Sequence, residues 1–558
     1  MGVKADTYPR QPGVRVEHYT FDITVGDAND ELQVRETVDV RMVVGKVASV
    51  DLDLCRFSAQ PRAQLTPDQR HDPCAEPTGG GRGAPVATPS GGKGMTVTAA
   101  TACGQPATFA HEQDRVRVTL PRAPAAGEQC ELTLEYHGVP ATGILIGKNK
   151  YGDREFFSNP WPDKVRNYLA VIDHPSAKAA TTTIVTAPRM YQVIANGRLM
   201  EQTDLPDGRR RTAWSEQIPI CSWQMSLGVA PFAVSHFGDY HGIALSAWVF
   251  PQEKDVSVSA FRAFTEPILE FYIDHIGPYS YEKLAQVQAN GVGGGMELAS
   301  DIFYGYGVTG PGRQLVAHEM AHQWFRDSAT ESDWDDVWLS EGFATYFSLL
   351  YQEFQDGHDA FLDAVKRSKA QAITYALAHP ASTIVHNNLA DISQVIANNA
   401  QIYQGGAQVL HNIRGVVGTD AFWSGIRLYY KRFQNSNATT DAFRRAMEEA
   451  SGKDLGWLFT ELLNRGGALQ VKGTWRYDAA AKQIEMTLDQ TQTEVYRMPI
   501  EIAIARPGAN GQAAQTVQIA DLRERHQVFT FASGTEPSAV ALDPNAWAFM
   551  QATFERKQ

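Results

Sequence analysis

The segment Leu315–Phe325 reads LVAHEMAHQWF and sets His318 and His322 four residues apart, with Glu319 between them. On a helix this offset projects both imidazoles from one face, within reach of a single ion. Glu319 is then placed to polarise a metal-bound water rather than to ligate. A catalytic zinc takes three protein ligands and keeps its fourth position open. The helix start in DDVWLSEGFATYF supplies a third candidate, Glu341. Two incidental histidines on an amphipathic helix explain the short motif alone, but they do not explain the glutamate that follows. Asp335 and Asp336, just upstream, are able to hold a ligating histidine by its other ring nitrogen, which fixes the tautomer and raises basicity.

A second stretch, GVGGGMELAS over Gly291–Ser300, places one acidic side chain, Glu297, after four glycines in five positions. A phosphate-cradling loop fails on spacing, because Met296 stands where the dinucleotide pattern requires a glycine and no Gly-Lys-Ser/Thr follows. The alternative is that glycines let backbone approach a ligand while Glu297 supplies one charge.

These residues need a scaffold of several domains, since 558 residues exceed what one hydrophobic core organises. A hydrophobic content of 43% and a charged content of 20% describe a soluble globular protein. The net charge of -13 argues against nucleic acid and anionic membranes as general partners. Arg209–Arg211, the one basic run, follows LPDG and reads as a solvated hairpin turn. No apolar run is long enough to span a bilayer, and the first residues lack a hydrophobic signal core. The cysteines, Cys55, Cys74, Cys103, Cys130 and Cys221, match no zinc-binding pair; their clustering permits disulfides in an exported protein or buried thiols in a cytoplasmic one.

Even positions from Leu32 to Met42 are apolar apart from Glu36, the period of two of a half-buried strand. Similar segments continue through YQVIANG, so residues 1–236 read as a β domain with a mobile Gly/Pro-rich insertion at about 76–94. From Val256 to Trp457 the spacing is mostly helical, with Thr440 or Asp441 as the N-cap of TDAFRRAMEEAS. Alternation returns in QIEMTLDQT and MPIEIAIARP. The expected organisation is multidomain α+β: a β domain over 1–236, a mainly helical domain over 237–466 and a small β domain over 467–558.

HEMAHQWF, WDDVWLSEGFATYF and the preceding GGMEL resemble the M1 family of zinc aminopeptidases, and IYQGGAQVLHNIRGVVG resembles the family segment that contains a catalytic tyrosine. The resemblance implies an N-terminal β saddle, a thermolysin-like catalytic domain and a C-terminal β-sandwich, with no room for the helical domain that closes many members. It implies one zinc per chain held by His318, His322 and Glu341, with Glu319 as general base and Tyr403 as the oxyanion donor. It also implies that Glu297 binds the substrate's α-ammonium, while Gly294, Gly295 and Met296 line the substrate path. The implied partners are peptides with a free N-terminus, met by a monomer or small homo-oligomer; an extracytoplasmic location is slightly favoured.

Two departures from the family pattern stand near the expected amine pocket. Leu298 replaces the usual asparagine after Glu297, and Trp161 stands where the family places a second amine-contacting Glu or Gln. The expectation is that Glu297 grips the amine mainly alone, while Trp161 narrows the first subsite or offers a ring face to the ammonium. Two other functions compete: epoxide hydrolysis of the leukotriene A4 hydrolase type, and a zinc-stabilised binding protein without catalysis.

Overall fold

The computed structural model describes residues 8–62, 72–76, 90–305, 312–385, 400–507 and 513–557. It divides into two compact units. The first comprises Met1–Trp334 with Asn388–Gln394 and Phe433–Ala438; the second comprises Asp335–Asn387, Val395–Arg432 and Thr439–Gln558.

The first unit begins with an eight-stranded sheet in which Val14–Thr24 pairs antiparallel with Leu32–Met42 and parallel with Lys178–Pro188. The alternation seen from Leu32 is realised: Leu32, Val34, Glu36, Val38, Val40 and Met42 are all buried. Glu36 belongs to the inner face because the Tyr136 hydroxyl and the Ala170 N–H donate to its carboxyl. Burial pushes that carboxyl up to about 8, so it sits in the sheet as a neutral acid. Arg209–Arg211 opens a strand of the expected hairpin, and its three guanidiniums pair with Asp207, Asp204 and Glu201. Cys55–Cys74 and Cys103–Cys130 form disulfides, and Cys221 is a buried thiol. Glu76 accepts hydrogen bonds from the Ser90 N–H and hydroxyl, tying together the ends of the insertion. Residues 77–89 themselves lie outside the described residues.

Helical texture from Val256 is only part of what that region contains. Helix α1 (Lys254–His275) is followed by three short strands, Lys283–Gln288, Gly295–Leu298 and Asp301–Tyr304, which complete a five-stranded sheet with Ala233–Tyr240 and Ile243–Val249. The glycine-rich stretch therefore ends in a strand, and Glu297 lies on the edge of the sheet opposite Ile302. Helix α2 (Arg313–His322) packs on this edge strand and is anchored to α1 where the Tyr272 hydroxyl donates to Ala317 O at 2.7 Å.

In the second unit, α3 (Trp338–Asp356) and α4 (His358–Ala378) precede a π-helical turn, Ala400–Gly405, that runs into α5 (Gly406–Val417). Helices α6 (Thr419–Phe433, its last residue in the first unit), α7 (Thr440–Ser451) and α8 (Gly456–Leu463) follow. The N-cap of α7 is Thr439, whose side chain accepts from Ala442 N at 3.2 Å, rather than Thr440 or Asp441. Thr440 is committed elsewhere: its hydroxyl donates to Asp336 at 2.7 Å and accepts from Trp338 Nε1 at 2.7 Å. The strands from Leu469 to Arg556 form a four-stranded and a three-stranded sheet.

Candidate active site

Helix α2 delivers the first pair. His318 and His322 bring their Nε2 atoms to 3.2 Å with ring planes 84° apart. His322 is buried and turns Nδ1 to the carbonyl of Phe325 at 3.3 Å, which leaves Nε2 as the lone-pair nitrogen. A backbone carbonyl thus orients this histidine. Asp336 is spent on the start of α7, where it accepts from Thr440; Asp335 is buried beside it.

Gln323 fastens the end of α2 to the glycine-rich segment. Its Nε2 donates to Leu298 O at 3.2 Å and to Asp327 at 2.6 Å, while its Oε1 accepts from Ser300 N at 2.9 Å. Leu298 is fully buried, so this departure from the family pattern adds to the core. Glu319 is buried, and the backbone of Gly295 lies directly against it. A Cβ added at Gly295 would stand 2.2 Å from Glu319 Cδ. Gly295 therefore clears space for the carboxylate. Gly294, at φ 95°, takes the turn into the strand in a conformation that favours glycine, and Met296 follows half-buried.

Glu297 is buried, with a carboxylate oxygen within 4.8 Å of ligand atoms on Glu319 and His322. Its Oε1 meets Arg326 Nη1 at 2.7 Å. The guanidinium carbon lies 3.9 Å from the ring centroid of Trp161 and 4.4 Å from that of Trp223. One face of Trp161 is therefore taken by a resident cation, not kept for a substrate ammonium. Its other ring contacts are with Trp223 and Trp334, at centroid distances of 5.5 and 4.8 Å. Arg326, Trp223 and Gln323 are the residues sequence reasoning missed. The available signal was a charge, in FRDSA, directly after the apolar end of the metal-binding motif.

The loop behind Arg326 is also polar. Lys178 Nζ donates to Asp327 O at 3.0 Å and Ser328 O at 2.8 Å, and Gln224 Nε2 donates to Arg326 O at 2.8 Å. Burial lowers the Lys178 ammonium to about 8 and pushes the Asp327 carboxyl well up, with Glu297 adding to the latter.

The second unit holds the other candidates. Glu341 is buried in the first turn of α3, and Tyr403 is half-buried in the π-helical turn. Helix α3 and the start of α5, into which that turn runs, meet at a glycine crossing: a Cβ on Gly342 would lie 2.8 Å from Gly406 backbone atoms, and one on Gly406 would lie 2.8 Å from Gly342 Cα.

His318, His322 and Glu341 are a donor set able to hold a metal ion. Two nitrogens bound at about 2.0–2.1 Å to one tetrahedral ion stand about 3.3 Å apart, close to the separation of the two imidazoles. The donor set, two neutral nitrogens and a carboxylate, fits a divalent metal of the zinc type.

Residues 311–462 match the Peptidase family M1 domain and residues 96–223 the Peptidase M1 N-terminal domain. The chain belongs to peptidase family M1. An M1 zinc metallopeptidase from Deinococcus radiodurans, solved by crystallography, is similar at 25% identity and a TM-score of 0.63, covering 79% of this chain and 92% of that one. A glutamyl aminopeptidase from Bitis rhinoceros is 24% identical over 60% of this chain and 35% of its own length. The tricorn protease-interacting factor F2 of Thermoplasma acidophilum is 26% identical over 64% of this chain and 47% of its own. The chain thus spans from about a third to half of the length of the curated relatives it matches. Among the described residues, no helix is long and apolar enough to cross a membrane.

Proposed function

We propose that this M1 chain is a zinc-dependent aminopeptidase that removes the N-terminal residue of peptides. The observation that carries the reading is the paired His318 and His322 on one helix with a base, Glu319, between them and a buried carboxylate, Glu297, grouped with Glu319 and His322; Glu341 is assigned as the third metal ligand. Bound zinc supplies a Lewis acid that lowers the pKa of water and polarises the scissile carbonyl. Glu319 takes the proton of the attacking water and returns it to the leaving amine. Tyr403 is assigned the hydrogen bond to the developing oxyanion. Glu297 accepts hydrogen bonds from the substrate's α-ammonium, which restricts cleavage to the first peptide bond. Asp335 is assigned to the support of the metal ligands.

The relatives' names support an aminopeptidase reading, and no observation favours epoxide hydrolysis or a non-catalytic role. The two disulfides support an extracytoplasmic location, because such bonds persist in oxidising compartments. We read the strand-rich stretches before Lys254 and after Leu463 as the outer parts of a division at 1–236, 237–466 and 467–558.

The test is hydrolysis of aminoacyl anilides, with chelator and zinc add-back, against matched N-acetylated substrates. Turnover that needs both metal and a free amine supports the proposal; equal cleavage of blocked and free substrates would remove it. Glu319→Gln is expected to lower kcat by roughly 1,000-fold while the protein keeps its metal.

A further inference from the structure

Arg326 is built into its place at some cost. Its φ is 127°, in the region that favours glycine, yet it carries one of the largest fully buried side chains in the molecule. A strained backbone of this kind persists only where its surroundings over-determine it. Here they do: Gln224 holds Arg326 O, Lys178 holds the next two carbonyls, and the guanidinium lies over two tryptophan rings. What this delivers is a cation on Glu297 Oε1 at 2.7 Å. Glu297 and Glu319 are neighbouring carboxylates, with ligand oxygens within 4.8 Å. Without a resident cation, two such buried charges repel one another and lose a defined geometry.

We infer that Arg326, held between Trp161 and Trp223, is a positioning and specificity-determining residue: it occupies Oε1 of Glu297 permanently, so that the carboxylate receives a substrate ammonium through its other oxygen in one fixed orientation. The inference rests on the aminopeptidase reading and deepens it. Trp161 then acts from behind the amine pocket, through Arg326. Arg326 itself is too deeply buried to touch substrate.

The experiment compares two anilides of the same acyl group, one with its α-amine and one lacking it, and takes the ratio of their kcat/KM values. Arg326→Met is expected to lower that ratio by roughly 10-fold, mainly through KM of the amine-bearing substrate. Zinc content stays as in the parent protein, turnover of the des-amino substrate falls by a smaller factor than that of the amine-bearing one, and Arg326→Lys recovers part of the ratio. In a Glu297→Gln background the same substitution changes the ratio no further. A purely structural residue would lower both substrates together, and a ratio within about twofold of the parent's overturns the inference. If Arg326→Met does not accumulate as folded protein, Arg326→Lys and Trp161→Leu carry the test, each expected to shift the ratio by a smaller factor. An unchanged ratio in both is equally fatal. A parent protein that does not distinguish the two substrates removes the aminopeptidase reading itself, and this inference with it.

Discussion

Gly295 in the first unit and Gly342 in the second both keep a Cβ out of crowded space beside a candidate catalytic or ligand residue. What crowds them differs. At Gly295 the nearest atoms belong to the end of a side chain, the Glu319 carboxylate; at Gly342 they belong to the Gly406 backbone. A side-chain terminus yields at little cost to folding, whereas helical backbone does not. Substitution at Gly295 therefore falls on the chemistry, and substitution at Gly342 falls on the fold.

Between these two glycines the larger expected effect is that of Gly295→Ala. The added methyl would meet Glu319 Cδ at 2.2 Å and Oε1 at 2.3 Å, so the carboxylate must retreat by about 1 Å to restore van der Waals contact. A displacement of that size in a general base costs on the order of 100-fold in kcat. Thermal stability should stay within about 0.5 kcal/mol of the parent, since most of the strain is relieved by one rotamer change. Unaltered kcat with bound metal would show that Glu319 does not act from its observed position.

Gly342→Ala should show the reverse weighting. In an unobstructed helix this change stabilises by about 1 kcal/mol through helix propensity. Here a methyl 2.8 Å from Gly406 Cα and carbonyl carbon forces α3 away from the start of α5, into which the turn that carries Tyr403 runs. Overpacking against backbone costs about 1–3 kcal/mol, so the net effect is destabilising, read as a lower denaturation midpoint. Stabilisation would mean that the crossing tolerates adjustment and that α3 is not fixed by it.

This contrast also explains what could be read from the sequence. His318, Glu319 and His322 were legible because a helix maps spacing directly onto one face. Glu341 followed from the chemical need for a third ligand. The pairing of Glu297 with Arg326 was not legible, because it is built from an edge strand, the loop after α2 and two tryptophans in distant segments, and no periodicity connects them. The edge strand itself was hidden: it is four residues long and half of its preceding segment is glycine, so no alternation could develop. Long strands such as Leu32–Met42 announced themselves, including buried Glu36, whose place in the register outweighed its charge. Caps were missed by one residue where a side chain had a second partner, as Thr440 has in Asp336.

The smallest effect separates the units by pH. In the first unit, burial raises Glu36 from its ordinary value of 4.5 to about 8. Between those values the unfolded chain has lost this proton while the folded one keeps it, so its contribution to stability is complete below pH 4.5 and is lost as pH rises toward 8. In the second unit, burial lowers His411 from 6.5 to about 3, with its ring nitrogens hydrogen-bonded to Tyr346 and Asn545 O. There the unfolded chain gains a proton that the folded one refuses, so stability is lost as pH falls from 6.5 toward 3. Glu36→Gln, which keeps the shape and removes the titration, should therefore flatten the alkaline loss by on the order of 2 kcal/mol between pH 5 and pH 8 and leave the acid side unchanged. His411→Gln should flatten only the acid side. Denaturant midpoints at pH 5, 6.5 and 8 on metal-free protein check both, and a Glu36→Gln profile parallel to the parent's would show that this carboxyl is ionised within the sheet.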